Sequence, residues 1–266
     1  MENDKEAPSS LFRRTTSPVT WAVAPVDVTL DPAAVLADLP VAPAVRSRGA
    51  RLSRHHDRVA FAQARALVLD LVREHTVDAR GNAGVPGSGT SPATGTDPGR
   101  WIPREWELHQ ACAECEGEDH GNPILTAAGH RLPWYVSWAH TDAYVAAAVS
   151  RYPCGIDVET AGGPTLDFVL TREEQRAVRL LDDPVEAART FRGFFTVKEA
   201  AVKCGLITLD EFGTTPAAAF TDRGDLFVEQ HEVPGEDGGA RVGGGGQGAS
   251  VAVLVDHGVD HGRKLS

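Results

Sequence analysis

A strand followed by two capped helices, within residues 153–205, is the feature that most restricts the fold of this chain. Pro153 and Gly155 introduce an alternation of apolar and acidic side chains, which predicts a strand over residues 156–159. Thr171, with a glutamate three residues later, has the pattern of a capping box that begins a first helix. Together with the elements predicted in the first half, this strand and these helices lead us to expect a fold of the α+β class.

The second helix is predicted over residues 184–204. Asp183 is a suitable N-cap, proline occupies the first helical position, and Gly205 provides the stop. A further helix is predicted over residues 57–75, where apolar side chains recur every three or four positions. Strands are predicted at 19–30, in two pieces separated by Pro25, and at 134–138, 144–150, 226–229 and 250–255.

The order of elements, strand then helix then strands in each half, permits two similar lobes. We expect an N-terminal lobe over residues 18–151 and a C-terminal lobe over residues 152–266. Residues 1–17 are polar and are expected to be a disordered, frayed terminus. The stretches 81–100 and 234–248 are rich in glycine and are expected to be flexible surface loops.

Charge and composition exclude several classes of partner. The 266-residue chain carries 26 basic and 37 acidic side chains, a formal net charge of −11, which argues against a nucleic acid or an anionic membrane. No stretch approaches the roughly 18 apolar residues that span a bilayer, and the polar N-terminus lacks the pattern of a signal peptide. We therefore expect a cytoplasmic protein whose four cysteines are thiols or metal ligands rather than disulfides.

Asp157 and Glu159 are candidate metal ligands. Side chains alternate along a strand, so both carboxylates emerge on one face, roughly 7 Å apart, while their apolar neighbours enter the core. A hard divalent cation such as Mg²⁺ prefers oxygen ligands. An ordinary half-exposed strand with an acidic outer face would give the same pattern.

Glu199 and Lys203 form a second candidate pair, on the predicted helix 184–204. They lie four residues apart and share a helical face, with Lys198 nearby in sequence. A lysine can bind phosphate as a compact charge, or its pKa can shift for proton transfer, and this chain has only four lysines. The alternative is a solvent-exposed ion pair worth about 0.3–0.5 kcal/mol.

Arginines are concentrated in one segment of this acidic chain. The planar fork of arginine binds phosphate oxygens two at a time, which favours a small polyphosphate ligand. RNA fits less well because the segment lacks interleaved aromatic residues, and arginines spread over a solvated surface are a further alternative. The segment contains Arg46, Arg48, Arg51, Arg54 and Arg58, followed by Arg65 on the predicted helix.

A Cys-x-x-Cys pair, Cys112 and Cys115, lies near His109 and His120. Two thiolates and a histidine can bind zinc tetrahedrally, which would make a zinc-stabilised interaction module an alternative function. A second Cys-x-x-Cys or a spaced histidine pair is missing, so thiols in an irregular loop are the competing interpretation.

Two motifs occur in order, Gly-Ile-Asp-Val-Glu at 155–159 and Phe-Thr-Val-Lys-Glu-Ala-Ala-Val-Lys at 195–203. An arginine-bearing helix at 57–67, His-Gly-Asn-Pro at 120–123 and Ser-Trp-Ala-His-Thr at 137–141 precede them. The ordered set resembles the signature of the Sfp-type 4′-phosphopantetheinyl transferase family.

The resemblance implies two pseudo-symmetric α/β lobes with the ligand in the cleft between them. It implies transfer of 4′-phosphopantetheine from coenzyme A to a serine of an apo acyl or peptidyl carrier protein, with release of adenosine 3′,5′-bisphosphate. It also implies Mg²⁺ held by Asp157, Glu159 and Glu199, with Glu199 as base and Lys203 facing the departing phosphate. We expect a monomer, since both lobes lie in one chain.

The same resemblance implies that coenzyme A is held mainly by residues of the first half. Ala139 stands where the family has serine, and Asn122 where it has a basic residue, which removes two of the family's contacts. A lobe pair that binds coenzyme A or a carrier without turnover is therefore the alternative function. The implied contacts with coenzyme A are Arg51, Arg58, Arg65, Asn122, Pro123, Ser137, His140, Lys198 and Lys203.

Overall fold

The computed structural model describes residues 11–77, 102–103, 105–112, 115, 117–118, 120–160, 167–233 and 248–258. Its strands are β1 (Phe12–Thr16), β2 (Val19–Pro25), β3 (Thr76–Val77), β4 (Ile102–Pro103), β5 (Glu107–Ala111), β6 (Asn122–Ala127), β7 (His130–Arg131), β8 (Tyr135–His140), β9 (Tyr144–Ser150), β10 (Cys154–Thr160), β11 (Leu226–Val233) and β12 (Ala249–Asp256). Its α-helices are α1 (Pro32–Ala37), α2 (Pro43–Arg51), α3 (His55–Arg73), α4 (Arg172–Arg179), α5 (Pro184–Cys204) and α6 (Ala218–Thr221).

Within these residues the chain is a mixed α/β fold built on three antiparallel sheets. The strand orders are β1-β2-β9-β8, β10-β12-β11 and β5-β6-β7, and β3 and β4 form a short parallel pair. Helix α3 packs on the first sheet and α5 on the second. None of the helices described is long and apolar enough to cross a membrane.

The sheets β1-β2-β9-β8 and β10-β12-β11 pack face to face through a buried apolar interface, called the seam. Trp21 and Val23 of β2 meet Ile156 and Val158 of β10 in this seam, together with Val253 of β12. The chain halves on either side of residue 151 thus share a packed interface. Neighbouring residues point the opposite way, as alternation along a strand requires, toward α3 or α5: Ala22, Ala147, Ala252 and Leu254.

Most of the predicted elements are confirmed. The helices predicted over 57–75 and 184–204 are α3 and α5, and the capping box at Thr171 begins α4. The strands predicted at 134–138, 144–150, 156–159, 226–229 and 250–255 are β8 to β12. The stretches 1–10, 81–100 and 234–247 lie outside the described residues.

Two expectations for the first half are wrong. Residues 12–16 form β1 rather than a frayed terminus, because they pair with β2 and the ring of Phe12 packs on Trp21 at 5.2 Å. No strand continues after Pro25, because Asp27 accepts hydrogen bonds from the amide and hydroxyl of Thr29 and closes a turn. The helices α1 and α2 and the sheet β5-β6-β7 are not predicted from the sequence.

Gly155 determines how closely α5 approaches β10. A Cβ at this position would lie 1.9 Å from the carbonyl oxygen of Ala200 and 2.8 Å from the amide nitrogen of Cys204. Both atoms belong to the backbone of α5, so no side-chain rotation could relieve the clash. The absence of a side chain at Gly155 therefore permits the contact.

We expect Gly155→Ala to lower the free energy of unfolding by about 3 kcal/mol, at the upper end of the range for overpacking. Denaturant unfolding followed by circular dichroism measures the change. Gly224→Ala is the control, since nothing lies within 4 Å of a Cβ at Gly224, and it should cost less than about 0.5 kcal/mol. Equal stability of the two variants would contradict the close contact.

His75 makes part of the stability depend on pH. Burial and the charge of Arg13 lower the pKa of His75 to about 4. Its Nε2 lies 3.3 Å from Thr20 Oγ1, and its ring packs on Trp134 at 4.8 Å. The unfolded chain takes up this proton near pH 6.5 and the folded chain only near pH 4, so stability falls as the pH drops through that window.

The wild type is expected to lose free energy of unfolding as the pH falls from 7 to 4, and we expect His75→Gln to make this loss smaller by about 1–3 kcal/mol. The measurement is the difference in unfolding free energy between pH 7 and pH 4 for the wild type and the variant. Parallel pH profiles for the two proteins would contradict the assignment.

Candidate functional site

Strand β10 and helix α5 bring three carboxylates and a lysine together. Because Gly155 lets α5 lie against β10, the α5-facing side chain of Asp157 reaches Lys203, with Oδ1 2.6 Å from Nζ. Asp157 is buried, whereas the Lys203 side chain is 28% exposed. Glu159 on the same face of β10 and Glu199 one turn before Lys203 are partly buried. Asp157, Glu159 and Glu199 are called the carboxylate cluster below.

The three negative charges of the carboxylate cluster repel one another in a partly buried environment. Burial raises the pKa of Asp157, although Lys203 opposes this shift. Burial and the charges of Asp157 and Glu199 raise the pKa of Glu159 to about 7. Burial and the charge of Asp157 also raise the pKa of Glu199. An excess of buried negative charge of this kind favours a bound cation.

The carboxylate cluster fits a hard divalent cation. Oδ2 of Asp157 is buried without a hydrogen-bond partner, whereas Oδ1 is bound by Lys203. A buried unpaired acceptor costs about 1–3 kcal/mol, which a metal–oxygen bond would offset. The three carboxylates do not gather their oxygens within 4.8 Å of one another. A cation would therefore draw Glu159 and Glu199 inward or retain waters in its shell, as Mg²⁺ does.

Arg192 is a further cation at the carboxylate cluster, and it is not among the residues predicted from the sequence. It lies two helical turns before Glu199 on the same face of α5, and its charge opposes the rise in the pKa of Glu159. Its Nε is buried without a hydrogen-bond partner. The seven-residue spacing between Arg192 and Glu199 is the sequence signal that could have found it.

Arg65 holds a buried positive charge on α3. Only 4% of the residue is exposed, and its guanidinium carbon lies 3.3 Å from the ring centroid of Phe61 and 4.5 Å from that of Trp138. Nη1 donates to the Phe61 carbonyl oxygen and Nη2 to Gln110 Oε1, while Nε has no partner. Burial and the charge of Arg48 lower its pKa. Neither partner is a carboxylate, so the guanidinium favours an anionic ligand.

Gln110 connects Arg65 to the segment at 120–123. Its Oε1 accepts from Arg65, and its Nε2 donates to the carbonyl oxygen of Gly121 at 3.1 Å. Gly121 has φ +90°, and a Cβ there would lie 2.2 Å from a backbone carbonyl oxygen, so glycine is required. Asn122 and Pro123 begin β6 directly after it. Gln110 was not predicted, because nothing in its local sequence distinguishes it.

His140 interacts electrostatically with both Arg65 and Lys203. It is the last residue of β8. Desolvation and the positive charges of Arg65 and Lys203 lower its pKa. Charged residues of α3 and α5 thus act on one imidazole of β8, so predicted site residues of both chain halves lie within electrostatic reach of one another.

Lys198 does not belong to this site. Its side chain is fully buried, and Nζ donates to Glu174 Oε2 at 2.5 Å, to the Phe212 carbonyl oxygen at 2.8 Å and to the Val169 carbonyl oxygen at 3.0 Å. These contacts use all three ammonium protons. The expected contact of Lys198 with coenzyme A is wrong, because no donor remains for a ligand.

Ser137 also has a structural role, and its expected contact with coenzyme A stays a prediction. It is buried, and its Oγ accepts the amide of Ile156 at 3.1 Å, which ties β8 to β10. Arg58 donates Nη1 to two backbone carbonyl oxygens just before α3, and Arg51 lies in the last turn of α2. Contact of these two arginines with a nucleotide stays a prediction.

Residues 153–225 contain the whole carboxylate cluster together with Lys203 and Arg192. A model of the 4′-phosphopantetheinyl transferase superfamily matches this segment. The superfamily segment includes β10, α4, α5 and α6, whereas Arg65, Gln110 and His140 lie outside it. None of the curated proteins compared matches the chain. The match supports a transferase domain of this superfamily in the second half of the chain.

We expect Lys198→Met to lower the free energy of unfolding by about 3–5 kcal/mol, because Glu174 would keep a buried charge without its partner. Adding Glu174→Gln should recover part of this loss, since the carboxylate is then neutral. Chemical denaturation of the single and double variants measures both effects. A negligible loss in Lys198→Met would contradict the structural role.

Proposed function

We propose that this protein transfers the 4′-phosphopantetheine group of coenzyme A to a serine hydroxyl of an apo acyl or peptidyl carrier protein, with Mg²⁺ as cofactor. The carboxylate cluster beside Lys203 carries the proposal. The superfamily match covers it, and the buried, unpaired Oδ2 of Asp157 is suited to a cation.

The positive charges of Arg65 and Arg48 are the observation that favours a bound nucleotide. Arg65 is desolvated by aromatic rings and has no carboxylate partner, and Arg48 adds a second positive charge near it. The phosphates of coenzyme A supply the matching anions, and His140 lies within the field of Arg65. The contacts that we propose are Arg65, His140, Asn122, Pro123, Arg51 and Arg58.

The proposed reaction is a displacement at phosphorus. The serine oxygen of the carrier forms a bond to the β-phosphorus, the bridging P–O bond breaks, and adenosine 3′,5′-bisphosphate leaves. The serine proton passes to Glu199, whose raised pKa makes it a better proton acceptor than an ordinary glutamate. Lys203 neutralises charge that accumulates on the departing phosphate.

Asp157 serves both the cation and the lysine in this proposal. Its Oδ1 accepts a hydrogen bond from Lys203, while Oδ2 would hold the cation together with Glu159 and Glu199. Bound Mg²⁺ would supply electrostatic stabilisation of the pyrophosphate oxygens. Arg192 limits the repulsion among the carboxylates.

Incubation with coenzyme A, Mg²⁺ and an apo carrier domain, followed by the intact mass of the carrier, tests the proposal. We expect a gain of one phosphopantetheine group per carrier. Asp157→Asn and Glu199→Gln should each lower kcat at least about 100-fold, because each removes a charge needed at the reacting phosphate.

Glu186→Gln, in the exposed first turn of α5, is the matched control and should retain activity. Binding of coenzyme A without transfer to any of several apo carriers would contradict the proposal and favour a non-catalytic binding module. Full activity in the presence of a metal chelator would contradict the role of Mg²⁺.

A further inference from the structure

The connection between β5 and β6 gathers two cysteines and a histidine that the proposed transfer reaction does not use. Cys112, Cys115 and His120 each offer one ligand atom, and these atoms all lie within 4.8 Å of one another. Sγ of Cys115 lies 3.1 Å from Nε2 of His120. A sulfur and a nitrogen bound to one tetrahedral zinc lie about 3.6 Å apart. The three side chains are therefore close to the spacing that a single ion requires.

The backbone of this connection is shaped so that the three side chains can converge. The Cys112 amide donates to the Gly117 carbonyl oxygen at 2.9 Å, which holds Gly117 beside Cys112. A Cβ at Gly117 would lie 2.7 Å from Cε1 of His120 and 3.2 Å from Sγ of Cys115. Glycine at this position is what lets the imidazole and the thiol approach each other.

His109 does not join the group, although the sequence places it nearby. Its Nε2 lies 3.0 Å from Oε2 of Glu107 on β5. Across the part of the chain that the structure describes, no other set of three metal-binding side chains meets the same spacing. The ligand set is therefore two sulfurs and one imidazole nitrogen.

We propose that Cys112, Cys115 and His120 bind one Zn²⁺, with water in the fourth position. Two thiolates and an imidazole suit zinc, whereas Mg²⁺ and Ca²⁺ take oxygen ligands. Binding converts two thiols to thiolates and releases their two protons to solvent. Cys115 is exposed, which gives the ion and its water a path to the site.

The zinc would order the segment that reaches Arg65. His120 precedes Gly121, whose carbonyl oxygen accepts from Gln110, and Gln110 in turn accepts from Arg65. A metal bound at His120 therefore fixes one end of this hydrogen-bonded series. The zinc proposal does not rest on the transfer reaction, because the metal ligands and their spacing are observed without reference to coenzyme A.

Metal analysis of the purified full chain tests the proposal. The protein is produced without a metal-binding tag, dialysed against zinc-free buffer with a reducing agent, and measured by inductively coupled plasma mass spectrometry. We expect about one zinc per chain, and less than about 0.1 in Cys115→Ser and in His120→Ala.

Cys204→Ser is the matched control, because Cys204 lies on α5 and its thiol donates to the Pro153 carbonyl oxygen, a bond that serine can replace. This variant should retain its zinc. Replacement of zinc by Co²⁺ in the wild type should also give a thiolate-to-cobalt charge-transfer band, which is lost in Cys115→Ser. The cobalt spectrum of the wild type decides the question even if a loop variant fails to fold.

Two results would overturn the zinc site. One is a wild-type chain that binds neither Zn²⁺ nor Co²⁺ when either ion is added under reducing conditions. The other is a zinc content in folded Cys115→Ser equal to that of the wild type.

Discussion

The contact between the backbone of α5 and Gly155 on β10 is the constraint on which the candidate site depends. It leaves no room for even one methyl group, so the position of α5 is set by the strand. Asp157 then meets Lys203, and Glu199 comes within electrostatic reach of Asp157. The seam between the two sheets fixes β10 from its other face, where Ile156 and Val158 are buried. The carboxylate cluster is thus held by packing on both sides of one strand.

Among the residues that the structure describes, buried charges are of two kinds: those satisfied within the fold and those left with an unpaired atom. Lys198 and Glu174 satisfy each other and nearby backbone groups, so their ion pair stabilises the fold and offers nothing to a ligand. Asp157 keeps one oxygen unpaired, and Arg65 keeps an unpaired Nε without a carboxylate partner. A buried polar group without a partner is costly, and a bound ligand of opposite charge would supply the missing partner to each of these two groups. The opposite signs of these two groups match a cation and an anionic nucleotide, respectively.

The sequence predicts the regular elements around the site well, because their signals are local. The apolar periodicity predicts α3, and capping residues mark both ends of α5. The alternation of side chains along a strand predicts that Asp157 and Glu159 share one face of β10. The different fates of Lys198 and Lys203 also follow from helical geometry, since five residues on a helix separate opposite sides. The role of Gln110 could not be predicted, because it depends on contacts with Arg65 and Gly121 that its local sequence does not reveal. The two cysteines with a nearby histidine are predicted as possible zinc ligands, but the sequence does not show that His120 rather than His109 joins them.

The central claim is that the carboxylate cluster accepts a divalent cation, and manganese binding followed by electron paramagnetic resonance tests it most directly. Mn²⁺ replaces Mg²⁺ at oxygen sites and loses its free-ion signal when bound. From the proposed function we expect one bound Mn²⁺ per chain in the presence of coenzyme A, and at least about tenfold weaker binding in Asp157→Asn. Unchanged affinity in Asp157→Asn, or no bound ion in the wild type, would contradict the claim.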